Sequence, residues 1–462
     1  MKFDLLLKNG TVYFDGDFIK ADIGINGEKI SAIIAPGSSV ESLETVDIAG
    51  KYVIPGLIDT HVHMREPGFT HKEDITTATQ AAAAGGVTLA VDMPNVKPST
   101  NTYELTIEHK KLAASKAVVD FNHWIGPPAD LSEVDKIMSE NVIGIKVFMM
   151  NDTKRSYPHM PELGILSYGH LYEIFQACKR NNAIIAVHPH NQELFEWIEK
   201  RYFWEKGLTK PEDYCNALRY GDSIVYDTAF AALFILARSA GVKLNLLHLN
   251  TYLGVKMAEW FANQGVDLSC EMNPAHFFIT LDDVKKRGPY VLGTLTPPKD
   301  QEALWSVAQS KDLPFTAFWG TDHAPHHIDE KEIGWTDMWK AAGGAPYIQD
   351  YLSLFLNEAS KGRITLKRIV ELGCEIPARR FGFWPRKGCI RVGSDADLAV
   401  LDLEKVRIIT KEQGYSRAGY NPFEGREVKG VPVHTIVRGS FVMKDEKVIG
   451  KPGYGKFIPA SR

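Results

Sequence analysis

Apolar runs of strand length recur eight times between residues 54 and 385 or just before: "YVIPGLIDTHVH", "GVTLAVDMPN", "AVVDFNHWIG", "NVIGIKVFMM", "AIIAVHPHN", "KLNLLHLNT", "VDLSCEMNPA" and "FTAFWGTDHAP". Helix-compatible sequence separates them. After the first run, "HKEDITTATQAAAAGG" offers helix formers closed by a Gly pair able to cap a C-terminus. Eight β–α alternations predict a parallel barrel, with an open doubly wound sheet as the alternative.

The two ends have a different texture. Residues 2 to about 52 read as short strands broken by Asn-Gly and Gly-Glu turns, which predicts antiparallel hairpins, and "GSDADLAVLDL" and "VHTIVRGSFVMKDEKVIG" resume that pattern. The expected architecture is therefore α/β, a (β/α)8 TIM-like barrel with a small β-sandwich domain formed from both termini. Residues 1–53 and 386–462 would make the sandwich, and 54–385 the barrel.

At 462 residues, the chain exceeds one ordinary compact domain, yet a barrel with an appendage accounts for it. A 44% apolar and 24% charged composition excludes large-scale disorder, and a net charge of −4 implies neither a nucleic-acid nor a membrane partner. No apolar stretch reads as long enough to span a bilayer, and "MKFDLLLKNG" is too short in apolar residues for a signal peptide. Five scattered cysteines without a CxxC pair fit a reduced, cytoplasmic setting.

Chemistry concentrates at the carboxyl ends of the apolar runs. His61 and His63 close the first, Lys146 lies in the fourth, His188 closes the fifth, His248 the sixth and Asp322 the eighth. In a barrel those ends converge on one face, and alternate residues of a strand share a side, so His61 and His63 would both point inward. Imidazole and carboxylate suit zinc and similar divalent ions, and this many ligands exceeds what one catalytic zinc takes from protein. Two metals are expected. Lys146 in "IGIKVFMM" has apolar neighbours; desolvation would leave a neutral amine able to combine with carbon dioxide as a carbamate that bridges two ions. The competing reading has Lys146 paired with a buried acid or reaching out of the sheet. Single histidines in strands are more often hydrogen-bonded core residues, but six candidates on five strands are hard to assign that way together. His71, His109, His159, His170 and His434 fall in expected helices or loops and read as surface residues.

"DTHVHMREPG", "DMPNVKPSTN", "GIKVFMM", "VHPHN", "LLHLN" and "GTDHAPHH", with "GWTDMWKAAGG" and "KGCIRVGSDADLAVLDL", resemble the cyclic amidohydrolases: hydantoinases, dihydroorotases and allantoinases. The likeness is strongest to L-type hydantoinases. It implies that His61, His63 and Asp322 hold one divalent ion, most readily zinc, that His188 and His248 hold another, and that N6-carboxylated Lys146 bridges them. Hydroxide shared by the ions would open a small cyclic amide, and Asp322 would carry the proton from water to the leaving nitrogen. Arg65, Asn95 and His326 match positions that bind a substrate carboxylate in dihydroorotases, and Asn151 stands where hydantoinases carry an aromatic residue. Thr296 and Lys299 replace an Asn and an Arg of dihydroorotases. Relatives commonly form homodimers or homotetramers, which is expected here too. The rival readings are a dihydroorotase or allantoinase proper, a non-enzymatic dihydropyrimidinase-like scaffold, and a mononuclear deaminase without a modified lysine.

Overall fold

The structure is a computed structural model that describes residues 2–150, 161–291 and 295–461. Eight strands, Leu57–Val62, Val87–Asp92, Asp120–Ile125, Gly144–Phe148, Ile184–His188, Lys243–Leu246, Leu268–Met272 and Thr316–Trp319, lie side by side in chain order. Every neighbouring pair is parallel. A parallel bridge between Val62 and His323, with His63 N donating to His323 O at 2.8 Å, brings the last strand's end against the first. The barrel is thus nearly closed, as the alternation predicts. Ile58, Leu89, Val91, Trp124, Ala186 and Phe318 form a buried cluster between the strands, and Trp124 Nε1 donates to Thr60 O across it at 2.8 Å.

The helix expected after the first strand runs Ile75–Ala84. Asp74 caps it by accepting from Thr77 N while Thr77 Oγ1 answers the Asp74 backbone, an arrangement worth about 1 kcal/mol. Gly85 closes the other end, and its N–H reaches Ala81 O. The helix buries Ile75, Ala78, Ala81 and Ala82, small residues that let it lie close to the sheet.

Both termini contribute to a separate nine-stranded sheet. Its pairing is mixed, which corrects the expectation of antiparallel hairpins alone. Lys2–Phe14 is antiparallel to Asp17–Asn26 but parallel to Glu41–Asp47 and Tyr52–Pro55. The long first strand makes this possible because its two halves take different partners. Tyr52–Pro55 then pairs with Leu398–Ile408, joining the two ends of the chain. A buried network of Lys387 with Asp120 and Asp397, and of Arg438 with Asp120, ties this region to the third barrel strand.

A second correction concerns length. The 21-residue element Tyr220–Ala240 holds an 18-residue window of mean hydropathy 1.3, long and apolar enough to cross a membrane, but half of that window is buried inside the protein and left-handed φ at Gly221, Asp222 and Ser223 kinks its first turn. Val225, Ala229, Phe230, Leu233 and Ala237 face inward at helical spacing, which makes it a core helix.

Candidate active site

His61, His63, Lys146, His188, His248 and Asp322 all come to one mouth of the barrel. Asp322 is the meeting point. Its Oδ1 lies 3.2 Å from His61 Nε2 and 3.1 Å from His63 Nε2, and its Oδ2 lies 3.9 Å from His248 Nε2. His188 Nδ1 is 3.1 Å from that same His248 nitrogen. Lys146 is fully buried, its Nζ has no hydrogen-bond partner among the described residues, and it sits 4.4 Å from the centre of the Phe148 ring.

The ring orientations follow from partners behind the site. Glu271, buried on the seventh strand, places Oε1 2.8 Å from His61 Nδ1 and 3.7 Å from His248 Nδ1. Asn95 Oδ1 is 2.6 Å from His63 Nδ1. An Nδ1–H donated to each oxygen leaves the Nε2 lone pairs of His61 and His63 facing a carboxylate oxygen of Asp322. Lone pairs facing a carboxylate at this range repel unless a cation lies among them. Together with the unpartnered Lys146 amine, this donor set fits divalent metal. Of these six, His61, His248 and Asp322 offer ligand atoms that all lie within 4.8 Å of one another.

Backbone geometry also serves the site. Arg65, His248 and Asp322 adopt left-handed φ values of 61°, 55° and 49°, uncommon for residues other than glycine. At the strand ends, this turns the chain and breaks the simple alternation of side chains, a form of strain that concentrates at functional sites. Asp59 braces the same corner: its Oδ1 accepts from His61 N at 3.1 Å and Thr321 N at 3.0 Å, so the first and eighth strands share one carboxylate. Gly320 leaves room for Glu271, because an added Cβ would lie 2.5 Å from Glu271 Oε2.

Burial dominates the protonation behaviour. It lowers Lys146 to about 7, against the opposing charges of Glu271 and Asp322. It likewise holds His61 at about 3 and His63 and His248 well below the usual imidazole range, with nearby positive charge including Lys146 adding to the effect on all three. Burial raises Asp59 to about 7 and pushes Glu271 well above the ordinary carboxylate range. Neutral imidazoles and a neutral amine are the forms that bind metal and carbon dioxide.

Beside the mouth opens a cleft with His188, His248 and Asp322 at one side and His190, Tyr214 and His276 among its other walls. The described residues lining it do not include Arg65, Asn95 or His326. Arg65 instead donates from Nε to Pro325 O at 3.1 Å and meets His326 Nε2 at 3.2 Å, in a buried cluster with Lys72 and Glu330. Asn151 and His159 lie outside the described residues. Thr296 is buried with Oγ1 2.7 Å from His276 Nδ1, whereas Lys299 pairs with Asp222 at the surface, 3.1 Å away.

Several residues were not legible as site residues. Glu271 carried a signal, an acid inside the apolar run "VDLSCEMNPA", which also holds Asn273; His190 and Asn250 lay in "VHPHN" and "LLHLN", and the cleft-lining His276 had none. His109 and His434, expected at the surface, are buried: one is covered by the second and third barrel strands, the other lies inside a sheet strand.

Residues 52–442 match the Amidohydrolase family. An L-hydantoinase of Paenarthrobacter aurescens is 33% identical over 459 residues, covering 99% of this chain and 98% of that one. A dihydroorotase of Methanosphaera stadtmanae is also 33% identical, over 420 residues, 89% of this chain and 90% of its own. Among solved structures, the L-hydantoinase (dihydropyrimidinase) from Arthrobacter aurescens superimposes with a TM-score of 0.92 at 33% identity, covering 100% of both chains. With the barrel, the converging strand ends and these relatives in agreement, the chain belongs to the amidohydrolase family.

Proposed function

We propose that this chain hydrolyses a cyclic amide at the barrel mouth, with two divalent ions held by His61, His63, His188, His248 and Asp322 and bridged by carboxylated Lys146. Relatives named hydantoinase and dihydroorotase support the reaction class, and their equal identity leaves the ring itself to be chosen by experiment. The observation that carries the reading is the convergence of His61 and His63 Nε2 on one oxygen of Asp322, at 3.2 and 3.1 Å. Bound there, such ions supply Lewis acidity, lowering the pKa of water and polarising a carbonyl oxygen.

The chain's own groups do the rest. Glu271 and Asn95 hold the imidazoles in the tautomer that presents Nε2 to the cleft. Asp322, whose side chain is about a quarter exposed toward the cleft, is placed to take a proton from the attacking water and release it to the departing ring nitrogen. The C–O bond forms as the ring C–N bond breaks, and the products are an acid and a freed amide or amine nitrogen. Burial raises the affinity of the Asp322 carboxylate for a proton, which suits the accepting half of that cycle.

Ring opening of hydantoin, dihydrouracil, dihydroorotate and allantoin, measured with metal-loaded and chelator-stripped protein, tests the reading. Turnover of at least one ring that is lost on stripping and restored by zinc is expected. Unchanged turnover after complete stripping would remove the metal from the proposal.

A further inference from the structure

A second cluster lies behind the barrel wall, on the side away from the cleft. Asp92 ends the second barrel strand, His123 lies on the third, and His109 projects from helix Tyr103–Lys116, which covers both. All three are buried, with exposures of 0%, 0% and 4%. Their ligand atoms lie within 4.8 Å of one another.

The hydrogen-bond accounting around them does not close. His109 Nδ1 is 2.9 Å from Thr100 Oγ1, and His109 Nε2 is 3.2 Å from Asp92 Oδ2, yet off the line of a hydrogen bond. The His123 ring stacks on His109 with centroids 4.3 Å apart, and neither of its nitrogens has a hydrogen-bond partner among the described residues. Asp92 Oδ2, His109 Nε2 and both His123 nitrogens are therefore four buried polar atoms without a hydrogen bond among the described residues, gathered in one place. A neutral imidazole always carries one donor and one acceptor, so no tautomer of His123 removes the deficit. Leaving such a group unsatisfied costs about 1–3 kcal/mol.

We propose that Asp92, His109 and His123 form a buried site for one divalent cation of the zinc type, separate from the barrel mouth. Two imidazole nitrogens and one carboxylate oxygen make a donor set that such ions take, with a fourth position for water. Thr100 is the outer partner that fixes the His109 tautomer with Nε2 turned toward Asp92. The stacked His123 ring has to rotate to present a nitrogen, and it breaks no hydrogen bond in doing so. The positive charge nearest the cluster is already engaged: Lys110 Nζ pairs with Glu140 at 2.7 Å and lies 4.1 Å from the Phe457 ring centre.

The site bears on the mouth through the backbone. Asp92 Oδ1 accepts from Met64 N at 2.8 Å and Met93 N at 2.9 Å, so the carboxylate that would bind the cation also holds the residue following His63. Filling the site fixes Asp92 and, with it, the segment that carries His63. The role is positional.

Zinc-loaded wild-type crystals, examined by anomalous scattering at the zinc edge, test this directly. A peak about 2.0–2.2 Å from all three residues is expected, resolved from any peak at the barrel mouth. In solution, His123→Phe keeps the stacked ring and removes both nitrogens; it should bind one zinc fewer per chain than wild type and, with zinc present, unfold at a lower temperature. Density of water strength at the triad beside a filled mouth would overturn the proposal, as would an unchanged zinc content in His123→Phe. Should that variant not fold, the wild-type map decides alone. Because the two places are read as separate peaks, failure here leaves the reading of the mouth untouched, and the reverse.

Discussion

Glu271 Oε1 stands 2.8 Å from His61 Nδ1 and 3.7 Å from His248 Nδ1, so one buried carboxylate on the seventh strand faces two imidazoles from the first and sixth. Both rings turn Nε2 toward Asp322 as a result. Glu271→Gln keeps the shape and puts an amide where the carboxyl group meets His61. Loss of such an outer partner typically costs 10–100-fold in metal affinity or activity, and that weakening is expected in a competition titration against a chelator. Wild-type affinity in this variant would separate Glu271 from metal binding.

Lys146→Ala should abolish ring opening and lower the bound metal. Short carboxylic acids with added zinc should restore part of the activity, since the space left by the chain of Lys146 admits a free carboxylate in place of the carbamate. Normal turnover by the unrescued variant would rule out the bridge.

The pH at which Lys146 becomes reactive follows from its burial. A free lysine amine is neutral only above about 10.4; burial brings Lys146 to about 7. Only the neutral amine attacks carbon dioxide, so protonation below that point blocks the carbamate and deprotonation above it permits it. Reactivation of metal-stripped, carbon-dioxide-depleted protein by bicarbonate and zinc should therefore rise through about pH 7 and be nearly complete by pH 8.5. A rise centred near pH 10 would show that the buried lysine is not the group modified.

Asn95 and Arg65 were expected to contact substrate, and their placement alters what their removal should do. Asn95 Oδ1 is 2.6 Å from His63 Nδ1, so Asn95→Ala should lower metal affinity and kcat with KM little changed. Arg65 anchors Pro325 O, three residues beyond Asp322. Arg65→Ala should then reduce kcat for neutral and acidic rings alike. A rise in KM confined to acidic rings would restore the carboxylate-binding role.

Asp322→Asn tests the proton transfer. Positioned acid–base groups contribute about 10²–10⁴-fold, and a loss of that size in kcat is expected, with His188, His248 and Lys146 still able to hold metal. Full activity would transfer the proton shuttle to another group.

The barrel was legible because its signal is local: eight apolar runs separated by helical sequence, each ending in a residue whose chemistry differs from the run before it. Parallel strands of a barrel put all their carboxyl ends on one face, so His61, His63, Lys146, His188, His248 and Asp322 could be grouped before any coordinates were known. The mixed pairing of the terminal sheet was less legible, since a turn signal reports where the chain reverses and not which distant strand lies alongside. Glu271 was passed over for the same reason. Its partner His61 is 210 positions away, and only barrel closure brings them together.

By itself, then, the sequence determined which elements form, in what order, and which chemical groups stand at their ends, because hydrophobic period and residue type are properties of a stretch of chain. The tertiary structure alone decided which groups orient others and which are sealed from water. Asn95, a candidate substrate contact, lies beside His63 as its hydrogen-bond partner, and His109, expected at the surface, is one wall of a buried cluster with Asp92 and His123. Hydrogen-bond partners and desolvation depend on what packs across the gap between elements, and no local pattern records that.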